Sequence, residues 1–207
     1  MEKIDLTKTH KAYYTAKRKP ELVTIERATF LSICGKGDPS QRLFAERIET
    51  IYPVAYTIKF RFKEKGKDFV VPKLEALWWY DEQKYPGRTM ADAVSIPRSD
   101  WEYRLLIRMP QFVMRGDLDE AVDAVAKKKG LTAARNVELF ELTEGRCVQM
   151  MHVGPFSKEL ETLKVINTFC QEHNLKRNGF YHEIYLSDFR KTPPEKLKTI
   201  LREPVKE

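Results

Sequence analysis

The chain has 207 residues, 42% of them hydrophobic and 32% charged, with a formal net charge of +7. That size and apolar content suit one compact domain, or two fused halves, with a real core, and they exclude a disordered chain. No stretch approaches the roughly 18 apolar residues of a membrane span, and the N-terminus lacks the apolar core of a signal peptide, so a cytoplasmic protein is expected.

Basic and acidic residues are interleaved along the whole chain, with no helix-turn-helix, RRM or zinc-finger signature, which argues against nucleic acid as a direct partner. Residues 1–20 are polar apart from Tyr13 and Tyr14 and read as an arm laid over the domain rather than a core element. From Thr24 the run TIERATFLSIC is β-rich and closes on Gly35 and Gly37, which punctuate a tight turn. Asp38, Pro39 and Gln41 have the spacing of an N-cap, a first-turn proline and a capping-box partner. The segment that follows, to about Lys63, is ambiguous. Ile48, Ile51, Tyr52 and Ala55 have helical spacing, whereas Tyr56, Ile58, Phe60 and Phe62 alternate, and Pro53 disfavours an undisturbed helix. The i, i+4 row Ile48, Tyr52, Tyr56 and Phe60 favours a long, bent helix. Lys73–Asp81 reads as a strand, 81–97 as a loop, and Trp101–Met109 as a strand with Trp101, Tyr103, Leu105, Ile107 and Met109 on one face. A helix capped by Asp117 or Asp119 and ended by Gly130 comes next.

The second half repeats this order. CVQMMHVGPF is a strand ending in a Gly-Pro turn, and SKELETLKVINTFCQEH is an amphipathic helix with Leu160, Leu163, Ile166, Phe169 and Cys170 on one face. NGFYHEIYLSD is a strand, and a capping-box pattern from Thr192 to Glu195 leads through a short turn into a last strand. Both halves therefore read strand, turn, helix, strand, strand. The expectation is a single α+β domain over 1–207, made of the arm, a first module at about 22–115, and a linking helix with a second module at about 116–207. Superposing the strand ends of the two halves puts Trp79 beside Tyr185. Such a repeat predicts a pseudo-twofold axis with a ligand groove along it.

The sharpest local feature is FYHEIYLSD. On a strand, Tyr181, Glu183 and Tyr185 share one face. If that face is buried, a lone carboxylate costs several kcal/mol unless paired, and its pKa rises. A cationic ligand or a proton-transfer role would then make use of it; alternatively the face is exposed, or Glu183 pairs with a nearby Arg or Lys. Trp79, Trp101, Tyr181 and Tyr185 around this acid read as a cage for planar ligands, with Tyr56, Tyr103, Met109 and Phe112 as further lining. Cys34, Cys147 and Cys170 match neither a disulfide framework nor a zinc pattern, and Cys34 and Cys147 read as small buried hydrophobes. GKGDP lacks the Walker pattern, His152 reads as a turn or core histidine, and His182 lies on the opposite face of its strand from Glu183. No metal-ligand spacing and no nucleophile elbow is present, so neither metal nor cofactor is expected.

The run YHEIYLSDFRKTPPEKLKTILREPV is similar to the C-terminal signature of stand-alone GyrI-like proteins. FLSICGKGDPS, PVAYTIKF, LEALWWYD, WEYRLLIRMPQFV and HVGPFS resemble the other landmarks of that family in the same order, across nearly the whole chain. Phe189 departs from it, standing where a proline is expected, in the loop after the Glu183 strand, where no effect on the site is expected. The resemblance implies two strand-helix-strand-strand (SHS2) modules with pseudo-twofold symmetry, forming an antiparallel sheet with helices on one face and a central groove. It also supports the helix over 41–62. Related domains in multidrug-responsive regulators bind lipophilic cations through a buried glutamate and aromatics. A stand-alone subfamily hydrolyses the strained cyclopropane of DNA-alkylating natural products of the yatakemycin and duocarmycin type. Two functions follow from the resemblance. In one, the protein is a detoxifying hydrolase in which Glu183 positions or deprotonates water. In the other, it binds planar or cationic xenobiotics without turnover, sequestering them or contacting gyrase.

Overall fold

Secondary structure in this computed structural model is described for residues 3–207, leaving aside the side chains of Ala93, Val94 and Lys129. In chain order the elements are α1 (Leu6–Thr9), β1 (Glu21–Ile25), β2 (Ala28–Lys36), α2 (Arg42–Glu64), β3 (Leu74–Trp79), β4 (Glu102–Arg108), α3 (Arg115–Lys129), β5 (Glu138–Leu142), β6 (Gly145–Val153), α4 (Glu159–Glu172), β7 (Lys176–Arg177), β8 (Tyr181–Tyr185) and β9 (Lys198–Lys206). The strands pair antiparallel in the order β1-β6-β9-β8-β3-β4-β2-β5, with β7 on β9. Each module is a strand, a helix and two strands: β2-α2-β3-β4, then β6-α4-β8-β9. The central run β6-β9-β8-β3-β4-β2 is unchanged when the modules are exchanged, so the pseudo-twofold passes between β3 and β8. The strand preceding each module flanks the other one, β1 beside β6 and β5 beside β2.

One face of this sheet carries the main core. Phe44, Ile48, Ile51, Ala55, Ile58 and Phe62 form a continuous buried stripe along α2, at alternating spacings of four and three. This burial outweighs the hydrogen bond lost at Pro53, which stays inside the helix. The helix starts at Arg42, later than its capping pattern predicts. Asp38 instead accepts the Ser40 N–H at 2.8 Å in the turn ahead of it, and Gln41 is the N-cap. Neither Asp117 nor Asp119 is the N-cap of α3. Met114 occupies that position, and Asp117, three residues on, accepts its backbone N–H at 2.9 Å. The Thr192–Glu195 pattern yields only a short 3-10 turn at Pro194–Lys196. Gly35 has a packing reason: a Cβ there would lie 2.2 Å from the Tyr103 ring on β4, its register partner.

The other face of the sheet corrects the reading of the arm. Tyr13 and Tyr14 are 7% and 5% exposed and sit in a second core cluster with Phe30, Leu77, Leu106, Ile184 and Ile200. They are held by a buried charge network. The Tyr13 hydroxyl donates to Glu75 at 2.5 Å and that of Tyr14 to the same carboxylate at 3.3 Å. His182 spans two acids, with Nδ1 3.0 Å from Glu144 and Nε2 3.0 Å from Glu75. Arg202, fully buried, donates to Glu144 at 3.0 Å, to Gln149 at 3.1 Å and to the Tyr13 carbonyl at 2.9 Å. Two carboxylates thus face two cations, which is how buried charge is tolerated. Burial opposes charging of His182, but the flanking carboxylates raise its pKa from 6.5 to about 9; His182 and Arg202 together bring Glu144 down to about 2 against its own burial.

The network predicts a stability plateau. His182, raised on folding, contributes fully below pH 6.5, and its contribution disappears as the pH passes about 9. Glu144, depressed on folding, contributes fully above pH 4.5 and is lost as the pH falls through about 2. Urea denaturation between pH 6 and 10 should show roughly 3 kcal/mol more alkaline loss in the wild type than in His182→Gln. Equal slopes would mean that His182 is not charged in the fold.

Candidate functional site

α2 and α4, one from each module, pack on the same face of the sheet, and between them lies a cavity of about 630 Å³. Its floor is the symmetry seam. Trp78 comes from β3, and Tyr181, Glu183 and Tyr185 come from β8, with Trp78 opposite Tyr181 in register. Ala76 is opposite Glu183 and has no side chain beyond Cβ. Phe44 of α2 enters from one wall; Glu159 and Leu163 of α4 enter from the other. Two aromatic groups bracket the acids. Phe44 stacks on Trp78 at 5.7 Å, and Trp101 meets Trp78 edge-on at 5.8 Å. At the other end Tyr185, Phe156 and Phe189 make mutual edge-on contacts at 5.8–5.9 Å.

Glu183 accepts the Tyr185 hydroxyl hydrogen at 2.6 Å. The Trp78 indole N–H has no hydrogen-bond partner among the described residues and lies near enough to favour the charged carboxylate. Burial outweighs both and pushes the Glu183 pKa up to about 7. Burial, and then the carboxylate of Glu183, hold the Tyr185 and Tyr181 hydroxyls well above the ordinary phenol range. Glu159 is 9% exposed and its pKa is raised well above the carboxylate range, first by burial and then by the charge of Glu183. The cavity thus combines apolar walls, a carboxyl that titrates near neutrality, and N–H and O–H groups at Trp78, Trp101 and Tyr181 that lack partners among the described residues. Such a set can hold a planar molecule and move a proton at one point on it.

Of the residues singled out from sequence, Glu183, Trp101, Tyr181 and Tyr185 come together here. Tyr103 lies beneath, 1% exposed, supporting Phe44 and Trp78 at 5.0 and 5.3 Å. Trp79 is on the opposite face of the sheet, stacked on Phe180 at 4.6 Å and donating its N–H to Glu102. The β3–β8 register decides this: a one-residue slip exchanges faces, and it is Trp78 that faces the cavity. Tyr56 is exposed on the outer side of α2, stacked between Tyr52 and Phe60, and lines a neighbouring groove instead. Met109 is buried in the core, and Phe112 packs against Phe62 and Phe69; neither lines the cavity. Cys34 is exposed rather than buried, on the side of β2 opposite Leu31 and Ile33. Among the described residues no group of three His, Cys, Asp or Glu is placed to hold a metal, and no helix is long and apolar enough to cross a membrane. Sequence reasoning missed Trp78, Phe44, Phe156, Phe189 and Glu159. For Glu159 a signal existed, since it continues the buried row Leu163, Ile166, Cys170 by one turn.

The sequence matches the GyrI-like small molecule binding domain over residues 18–206. Among solved structures, an uncharacterized conserved protein from Listeria innocua is 39% identical, with a TM-score of 0.87 over 99% of this chain and all of the other. A second protein from Listeria innocua, called a hydrolase, is 38% identical with a TM-score of 0.84 over the same shares. The C-terminal domain of EcmrR shares the fold, with a TM-score of 0.55 at 12% identity over 91% of this chain and 98% of that one. No curated protein matches the sequence.

The placement of the three tryptophans is open to test by calorimetry with fluorenone, a neutral planar ketone. Trp78→Ala or Trp101→Ala should weaken binding about tenfold or more, whereas Trp79→Ala should leave it within about twofold. Equal losses in all three would contradict the assignment of faces.

Proposed function

We propose, from the premise that this chain belongs to the GyrI-like family of small-molecule-binding domains, that it takes planar aromatic compounds into the cavity and hydrolyses those bearing a strained, electrophilic carbon. Cyclopropane-bearing alkylators are the substrate class. The observation that carries this reading is Glu183, a carboxyl with a pKa of about 7 inside an aromatic cavity. A base is most useful when its pKa lies near the working pH, because it is then both available and strong enough to take a proton from water. The neighbouring rings hold a flat substrate and keep bulk water away from the reacting carbon. Ring strain supplies much of the driving force, so one base, typically worth about 10²–10⁴-fold, together with positioning suffices. The hydrolase name given to a protein 38% identical over 99% of this chain supports the reaction type.

The same geometry supports a second reading. An acid ringed by aromatic faces is also what a lipophilic cation requires, and on that reading the protein binds planar cations without turnover, with Glu183 as counter-charge. Contact with gyrase would belong to this non-catalytic role.

Incubation with a cyclopropane-bearing alkylator, followed by mass spectrometry, separates the two. The hydrolytic reading expects a ring-opened, hydrated product. Glu183→Gln should cut the rate at least a hundredfold while ligand still binds. Because the ionised form is the active one, the wild-type rate should rise as the pH passes about 7 and level off above it. Absence of product above the uncatalysed rate leaves only the binding role.

A further inference from the structure

Besides the exposed Glu49, two carboxyl groups, not one, line this cavity, and their surroundings differ. Glu183 is supplied with a hydroxyl hydrogen by Tyr185 and lies beside the Trp78 indole. Glu159, in the first turn of α4, is more than nine-tenths buried in the opposite wall, and its Oε1 has no hydrogen-bond partner among the described residues. We propose that Glu159 is the acid of this site: it presents a protonated carboxyl to the cavity and donates its hydrogen to a carbonyl oxygen of the bound planar ligand, while Glu183 is the group that ionises. The proposal rests on the hydrolytic reading for its chemistry, but not for the protonation of Glu159 or for the preference for ligands with an acceptor oxygen.

The assignment follows from what surrounds each group. Two carboxylates facing one poorly solvated cavity do not both ionise easily, and the one with fewer donors keeps the proton. From β9, Thr199 is the hydrogen-bonding neighbour that favours the Glu159 anion, and Glu203 lies close enough to act on Tyr181. From α2, Glu49 lines the same cavity; from β8, Glu183 repels a second negative charge, and His182 is turned to the far face of the sheet. The cations that line the cavity are Arg98, paired with Asp38 at 3.4 Å, and Arg190, paired with Asp188 at 3.1 Å. The N-terminal end of α4 favours an anion, but that field changes proton affinity by up to about thirtyfold, against a hundredfold or more for burial without partners.

With both groups in place the reaction balances. Water oxygen bonds to the cyclopropyl carbon and its proton passes to Glu183. The electron pair of the strained C–C bond moves through the conjugated system to the carbonyl oxygen, which takes the proton of Glu159. Return of the proton from Glu183 to Glu159 through solvent restores the pair, and one water has been added. The ligand class is correspondingly narrow: a planar aromatic system with a carbonyl acceptor at the Glu159 wall.

The test compares fluorenone with fluorene, the same planar frame without the oxygen. Wild-type protein should bind fluorenone about tenfold more tightly than fluorene. Glu159→Leu should lose that preference while retaining affinity for fluorene, and Glu183→Gln should keep it. In the infrared spectrum at about pH 8.5, where Glu183 is ionised, a protonated-carboxyl band should be present in wild type and missing from Glu159→Leu. A preference unchanged in Glu159→Leu, or lost in Glu183→Gln instead, overturns the proposal, as does an unchanged band. On a cyclopropane-bearing ketone, Glu159→Leu should lower the rate about a hundredfold. If the wild type opens no ring, the hydrolytic reading falls, and the fluorenone comparison and the spectrum still decide whether Glu159 is the donor.

Discussion

Strand β8 packs against the second core cluster with one face and lines the cavity with the other, so the ionisable groups it carries are taken largely out of water. His182 points one way and Glu183 the other, and the two faces meet this constraint differently. Behind the strand, His182 and Arg202 face Glu75 and Glu144, and the charges balance. In front, Glu183 has a tyrosine hydroxyl and a nearby indole but no cation of its own. The balanced face shifts its pKa values outward, to about 9 and about 2, and is inert at neutral pH. The unbalanced face shifts a carboxyl to about 7, where a proton is easily exchanged. Structure and chemistry are thus divided between alternate residues of five consecutive positions.

The position of β8 makes that division possible. With β3 it forms the seam between the modules, where each helix belongs to a different half and neither covers the middle of the sheet. The exchange of β1 and β5 between modules ties the halves together at the outer edges, and the arm ties them across the back, with Tyr13 and Tyr14 on Glu75 of the first module and the Tyr13 carbonyl on Arg202 of the second. The two halves can therefore meet around an open cavity without that cavity having to hold them together. The repeat is not carried into the walls: α2 brings Phe44 and the exposed Glu49 to the cavity, whereas α4 brings the buried Glu159, so an architecturally symmetric site is chemically asymmetric.

The sequence by itself determined the strand-helix-strand-strand order within each module, the repeat, and the Tyr-Glu-Tyr face of β8, because these depend on periodicity within single segments; the flanking strands β1 and β5 were not legible as separate elements. The helix α2 runs through Pro53 as the i, i+4 row Ile48, Tyr52, Tyr56 and Phe60 indicated, but the stripe that outweighs the proline is the buried one through Ile51, Ala55 and Ile58, and Tyr56 and Phe60 lie exposed. The tertiary structure alone decided which tryptophan meets Glu183. That choice depends on β3–β8 register, and neighbouring positions on a strand face opposite ways. It also decided that Tyr13 and Tyr14 are core residues, since their partner Glu75 lies some sixty positions away. Glu159 belongs to the same class: its helix face was legible, but the carboxyl it would meet across the cavity comes from a strand further along the chain, and only folding makes the two a pair.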